Sequence, residues 1–421
     1  MKADEADLMD PAIQQCPYAY YRTLREEAPI YPMRESGIHL VTTDQLARRV
    51  LRDPDTFVSG VNPMALADGG EVTEKIIEIY RQEGWLPLSS CSTTDPPRHK
   101  RVRRFLETLF TAQRVRLMTP MIDRLAVELL DDLGGATEVE WVAAFAHPFP
   151  MRVIAELLGI AGEDLERFKR WSDAIVEPFS MMATRERRVE CAHLVVEMQH
   201  YFVELIEQRR TRPGDDFISE AVAFRDADGS AFDLQELLTI ITIDLLASGN
   251  ETTTAAIGSG VRLLAESPET VRELQKQPGL VSHFVEEILR LESPAQGMFR
   301  RCTEATRLGG VQLEVDVLLN VRFGAANRDE GRYPDPEAID LHRSKPGSHL
   351  AFGMGRHVCV GAALARQELL SAFTELLRRY EGFELNPQKP APVYQPSFFG
   401  RNLERLDVLL RPASATAGNT S

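Results

Sequence analysis

Read for its alternation of apolar and polar positions, the chain is dominated by a helical period. Residues 98–110 place apolar side chains three and four apart, behind Thr94-Asp95-Pro96-Pro97, a capping residue followed by prolines suited to a first turn. Asp233-x-x-Glu236 has the form of a capping box and opens a run that reaches Ser267-Pro268. A helix of that length spans roughly 50 Å at about 1.5 Å per residue, the width of a domain. Because it is apolar almost all round, it must pass through the core. A last helix over residues 361–380 puts Ala365, Leu369, Phe373 and Leu376 on one face.

Strand signals are fewer. Residues 38–42 and 317–321 are short β-branched or apolar runs beside turn residues. Residues 327–352 are rich in Pro, Gly, Asp and Arg and carry no helical period, a long meander of the kind usually kept for a functional reason. No internal repeat is present. The expectation is a mainly α (α+β) fold, one domain over residues 1–421 with small peripheral sheets and flexible tails at about 1–12 and 412–421.

Composition narrows the classes. With 421 residues, 43% of them hydrophobic, the chain can bury a large core. Its 48 basic and 63 acidic residues leave a net charge of −15, which argues against nucleic acid or an anionic membrane as a partner. Cys16, Cys91, Cys191, Cys302 and Cys359 are scattered, odd in number and form no CxxC pair, a pattern of reduced thiols in a cytosol. The acidic N-terminus lacks the apolar segment of a signal peptide, and the most apolar stretch elsewhere is broken by Asp244 and Glu251. A cytoplasmic monomer that spans no membrane is expected.

One cysteine stands in unusual company. In Phe352-Gly353-Met354-Gly355-Arg356-His357-Val358-Cys359-Val360-Gly361 it lies between a glycine-rich turn and the start of the last helix. Helix-end N–H groups favour a thiolate there, and glycines at 353, 355 and 361 let a flat cofactor approach the backbone. A lone cysteine is more often a buried structural residue. Zinc fails for want of further ligands, and a nucleophile for want of a base at recognised spacing. The ten residues together resemble the heme-binding loop of the cytochrome P-450 superfamily, F-G-x-G-x-H-x-C-x-G, at every fixed position. The resemblance implies heme b, with Cys359 as the axial iron ligand and Phe352 and Gly353 against the cofactor.

Other stretches follow in the family's order. Ser248-Gly249-Asn250-Glu251-Thr252-Thr253 interrupts the apolar central helix with groups that are costly to bury unpaired. It is similar to the family's oxygen-activation motif, which makes Thr252 the hydroxyl that steadies activated oxygen and Glu251 the acid that feeds protons. Glu287-x-x-Arg290, ordinarily a surface ion pair, looks like the family's E-x-x-R, with Arg343 as its partner in the meander. His99 and Arg103 are four apart on one helical face, a donor pair suited to carboxylate. By the same resemblance they hold heme propionates, together with Arg300 and His357. One departure is the turn Leu313-Glu314-Val315-Asp316, where the family carries Gly and Pro.

What the resemblance implies is a monooxygenase that inserts one atom of O2 into a small hydrophobic substrate by hydroxylation or epoxidation. The chain has neither a G-x-G-x-x-G after a strand nor cysteine spacing for an iron–sulfur cluster, so electrons from NAD(P)H need a separate donor of ferredoxin or flavodoxin type. Arg98, Lys100, Arg101, Arg103, Arg104, Arg114 and Arg116, with Glu107 the only acid between, form a basic run over 98–116 where such a donor would dock. Substrate contacts are expected at Ile243, Ala247, Ser248, Ala295, Gln296, Met298 and Phe398, and in the loop 60–91. A peroxide-driven peroxygenase and a non-catalytic heme sensor are the alternatives.

Overall fold

The capping box at Asp233 opens the longest run of helix in the molecule. The Asp233 side chain accepts from the Glu236 N–H at 2.8 Å, and Glu236 reaches back to the Asp233 N–H at 3.0 Å. Helix then continues without a break through Leu234–Thr239, a π-helical stretch Ile240–Ala247, and Ser248–Glu266. This computed structural model describes residues 2–61, 71–160 and 165–413. Within it the central helix is sheathed by Pro148–Leu157, Val281–Glu292 and Ala362–Arg379. The sheath is tight at Gly260, where an added Cβ would lie 2.2 Å from Phe373 and 2.6 Å from Ile288.

The two strands expected from sequence are found at His39–Val41 and Leu318–Arg322, and they pair with each other in parallel. Around them forms a five-stranded sheet in the order Ile30–Pro32, His39–Val41, Leu318–Arg322, Gly297–Cys302, Phe57–Val58. A three-stranded sheet of Glu138–Glu140, Asp407–Pro412 and Tyr380–Leu385 packs beside the central helix. Helices thus carry the core and the sheets flank it. The turn that lacks Gly and Pro closes with Asp316 at φ +64°, and its N–H donates to the Cys302 carbonyl at 2.9 Å. Asp tolerates the left-handed region better than most residues, which explains the substitution.

Two local expectations are corrected. Thr94 caps nothing: Arg98–Leu109 begins after a cis Pro96–Pro97 bond, and Asp95 turns back to accept from the Ser59 and Gly60 N–H groups at 3.2 and 2.7 Å. Nor is the N-terminal segment a loose tail. Leu8 is buried, and Tyr20 Oη donates to the carbonyls of Ala3 and Ala6 at 3.1 and 3.0 Å. The expected C-terminal tail lies outside the described residues beyond Ala413.

The meander is held by a buried charge cluster. Glu287 and Arg290, i,i+3 on Val281–Glu292, are both fully buried and joined by two 2.8 Å bonds. Arg343 donates to the same carboxylate at 2.9 and 3.4 Å, and the Asp340 N–H at 2.9 Å. Arg290 also bonds the carbonyls of Asn327, Pro336 and Ala338. Against the cost of burial, the Arg290 and Arg343 guanidinium groups hold the Glu287 carboxyl below its ordinary value.

Candidate functional site

The cysteine loop leaves the meander at His349 and enters Ala362–Arg379. Its Leu350 N–H is caught by Asn327 Oδ1 at 2.7 Å, and the Cys359 N–H by the Phe352 carbonyl at 2.8 Å. Glu286, beside the structural Glu287, fixes it from behind. It accepts from Arg366 at 2.5 and 3.0 Å and contacts His349 at 2.9 Å, while Arg366 lies over the Phe352 ring at 4.5 Å. Gly353 and Gly355 both take positive φ, +66° and +71°. At Gly355 the reason is packing and not a cofactor, since a Cβ would lie 2.6 Å from the Leu51 carbonyl oxygen.

Cys359 is open to a water-sized sphere, yet burial among protein atoms still pushes its thiol up. The Gly361 N–H, Arg103 and Arg366 pull the other way and are outweighed. The helix start alone therefore does not make a thiolate here.

Next to the loop the fold gathers donors that have nothing to donate to. His99 and His357 come together at a ring-centroid distance of 4.3 Å, and all four of their ring nitrogens are buried without a hydrogen-bond partner. Arg300 is buried and makes one bond, to its neighbour's carbonyl, Phe299 O, at 2.7 Å. Burial pulls Arg300 down to about 10, and burial with the charges of Arg300 and His99 pulls His357 to about 4. Arg103 stands by, bonded to Glu107 at 2.8 Å and to the Val358 carbonyl. Asp95, 3.7 Å from His357 Nε2, is the nearest carboxylate. Four predicted residues thus converge, and the donor set fits a group with more than one carboxylate.

On the central helix, Ser248 is exposed although Leu245, Leu246 and Ala247 before it are buried, and Thr252 is half-buried. Ser248 Oγ donates to the Ile243 carbonyl, five residues back, at 2.8 Å, and Thr252 Oγ1 to the Ser248 carbonyl at 3.3 Å. The π-helical stretch just before them is a geometry often found at functional sites. Glu251 turns toward a different helix, Leu165–Val176, accepting from Ser172 Oγ at 3.2 Å and Asn250 Nδ2 at 3.1 Å. Beside it lies Asp173, held by Lys169 at 2.8 and 2.9 Å, and both reach solvent. Burial first, then the Asp173 charge, raise Glu251 to about 7. Sequence reading missed Asp173, Ser172 and Glu286, because no spacing links them to the residues they serve.

Of the expected substrate residues, Ile243, Ala295 and Met298 are partly buried and Ala247 is buried beside Ser248. Two are engaged in contacts of their own. Gln296 spends its amide on the Glu292 and Ser293 carbonyls at 2.9 and 2.8 Å and on Tyr21 Oη at 3.1 Å. Phe398 is 1% exposed and stacked on Phe299 in a separate core cluster, whereas Phe399 stands near Phe179. Of the loop 60–91, residues 62–70 lie outside the described residues.

The basic run is also corrected. Acids distant in sequence fold onto it: Asp226 and Glu236 pair with Arg101, Asp226 with Arg104, and Glu220 with Arg114. Lys100 and Arg116 remain exposed without an ion pair among the described residues. Leu117, the residue after Arg116, is 75% exposed. No helix of the described residues is long and apolar enough to cross a membrane.

A profile of the family described as Cytochrome P450 matches residues 279–409. Cytochrome P450 107B1 of Saccharopolyspora erythraea is 36% identical over 405 residues, 95% of this chain and 96% of that one. Mycinamicin IV hydroxylase/epoxidase of Micromonospora griseorubida is 39% identical, covering 87% and 88%. The structure of cytochrome P450 CYP109Q5 from Chondromyces apiculatus superposes with a TM-score of 0.82 at 34% identity, over 97% of this chain and 99% of that one.

Proposed function

The chain belongs to the cytochrome P450 family and is a heme-thiolate monooxygenase, a hydroxylase or epoxidase, and from that premise we propose which of its residues do the work. The carrying observation is the convergence of His99, Arg300 and His357, with unmatched donors, beside the loop that bears Cys359. These residues and Arg103 would hold the propionates of heme b, with Cys359 as iron ligand and Phe352 and Gly353 against the ring. The bound heme supplies activation of O2 and delivery of one oxygen atom to the substrate.

Everything else falls to the side chains. Thr252 presents its hydroxyl on the same helical turn as Ser248, and it can lend that hydrogen outward by releasing the long 3.3 Å bond to the Ser248 carbonyl. Glu251 holds a proton near neutrality, and Asp173 with Lys169 supplies it from solvent. Ser172 and Asn250 fix the Glu251 carboxyl so that it exchanges with that pair. Ile243, Ala247, Ala295, Met298 and Phe399 offer apolar contacts to a hydrophobic guest, with Ser248 the polar group among them. A ferredoxin-type donor docks over Lys100, Arg116 and Leu117, and the protein works in the cytoplasm.

The test is Cys359→Ser. The ferrous carbonyl complex of the wild type shows the red-shifted Soret band of thiolate ligation, and the variant loses it. An unchanged band in the variant overturns the ligand assignment.

A further inference from the structure

Away from the heme site, the structure buries a positive charge that no carboxylate answers. Arg322 ends the strand Leu318–Arg322 and is 2% exposed. Its guanidinium makes three bonds, all to uncharged oxygens: Tyr21 Oη at 2.6 Å, the Phe398 carbonyl at 2.8 Å and Asn320 Oδ1 at 3.3 Å. It lies over the Phe398 ring at 4.8 Å and the Tyr21 ring at 5.5 Å. Its Nε–H is buried without an acceptor.

The neighbourhood shows how this fold normally treats a buried arginine. Arg262, Arg328 and Arg401 converge on the buried Glu292 at 2.9, 3.1 and 2.9 Å. Glu266 takes a second bond from Arg262, and Glu337 one from Arg328. Three arginines there meet three carboxylates. Arg322 is the fourth and has none, although a buried charge is costly unless paired.

Arg322 lines a narrow crevice of about 10 Å³, room for a single water-sized guest, together with Gln14, Tyr21, Gln296, Ser397 and Arg401. Gln395 and Ser397, at its wall, are exposed or partly so, which gives solvent a way in. Ser397 Oγ already accepts from the Phe399 and Gly400 N–H groups, so its own hydrogen is left to donate. Gln14 Oε1 is the one unmatched acceptor on this wall and calls for a water beside the site.

We propose that this crevice binds a small monovalent anion, chloride in the simplest case, on Arg322 and Ser397. The anion supplies the counter-charge the fold omits. It also ties together three segments: helix Tyr18–Glu27 through Tyr21, the strand through Arg322, and the C-terminal loop through Phe398 and Ser397.

The experiment uses the heme-loaded protein in chloride-free buffer, with methanesulfonate holding ionic strength constant as chloride replaces it. The unfolding midpoint of the wild type rises with chloride and saturates, and in Arg322→Met the dependence is lost. Crystals of the wild type soaked in bromide show an anomalous peak beside Arg322, a readout that does not need the variant to fold. A wild-type midpoint indifferent to the exchange, an equal chloride response in Arg322→Met, or bromide bound elsewhere only would each overturn the proposal.

Discussion

Glu287→Gln removes a charge and almost no volume, so its cost isolates what the buried carboxylate contributes. The two oxygens of Glu287 receive five bonds: from Arg290 Nε and Nη2, from Arg343 Nε and Nη2, and from the Asp340 N–H. An amide nitrogen accepts nothing, so whichever way glutamine flips at least two of the five are lost. Two guanidinium groups also lose their counter-charge while fully or nearly fully buried. Breaking a buried pair by removing one partner costs about 3–5 kcal/mol. Arg290 keeps its bonds to the Asn327, Pro336 and Ala338 carbonyls, which favours the lower end. A loss of about 3 kcal/mol multiplies the unfolded fraction by roughly a hundred. The assay is urea unfolding of the heme-loaded protein, followed by far-UV circular dichroism and by the Soret band. Glu128→Gln is the control, because its partner Arg124 is half exposed and the pair is worth under about 1 kcal/mol. If Glu287→Gln unfolds within 1 kcal/mol of wild type (~1 being the surface-pair limit), the triad does not hold the meander and the reasoning fails.

The remaining predictions concern turnover. Thr252→Ala keeps heme and substrate binding but diverts electrons to peroxide, so NADH consumed exceeds product formed; one-to-one coupling in the variant rejects the role given to the hydroxyl. Glu251 titrates at about 7 and must carry a proton to deliver one, so turnover falls as pH rises through that value. Asp173→Asn removes the negative charge beside it and moves this alkaline limb to lower pH, with Lys169, Ser172 and Asn250 still in place; an unmoved limb means that Asp173 is not coupled to Glu251. Lys100→Glu with Arg116→Glu slows reduction by an acidic ferredoxin at low salt and leaves substrate affinity alone, and the wild-type advantage shrinks as salt shortens the screening length to ~10 Å at 0.1 M. Equal rates at low salt would make the two cations an ordinary solvated face.

What could be read along the chain was whatever depends on neighbours in sequence. The capping box at Asp233, the length of the central helix and the last helix after Gly361 rest on contacts three or four residues apart, and each is found within a residue or two. The cysteine loop was legible for the same reason, since its ten residues fold as one piece. Thr94 misled because a start signal records only that some residue caps. Here none does: Asp95 is claimed by the distant Ser59 and Gly60 N–H groups, and Arg98–Leu109 starts after Pro97 without a side-chain cap. Gln296 and Phe398 lie in irregular segments with no period to assign a face, and contacts distant in sequence decide their surroundings: Tyr21 for Gln296, and Phe299 and Arg322 for Phe398.

The basic run carries the same lesson into electrostatics. Counted in sequence, residues 98–116 hold seven cations and one acid, which reads as a strongly positive face. Folding brings Asp226 and Glu236 from the approach to the central helix, and Glu220 from the short helix Phe217–Ala223, onto that face. Arg101, Arg104 and Arg114 become ties between elements rather than contacts held out to a partner. Reversing one of them would disturb packing and docking together. Arg103 is committed to the Val358 carbonyl of the cysteine loop. Arg98 is half-buried, so of the seven cations only Lys100 and Arg116 stay exposed without an ion pair among the described residues, with Leu117 exposed next to Arg116 in sequence. The docking face proposed above, with two exposed cations and one leucine, implies weak, salt-sensitive association, which suits a donor that must leave after each electron.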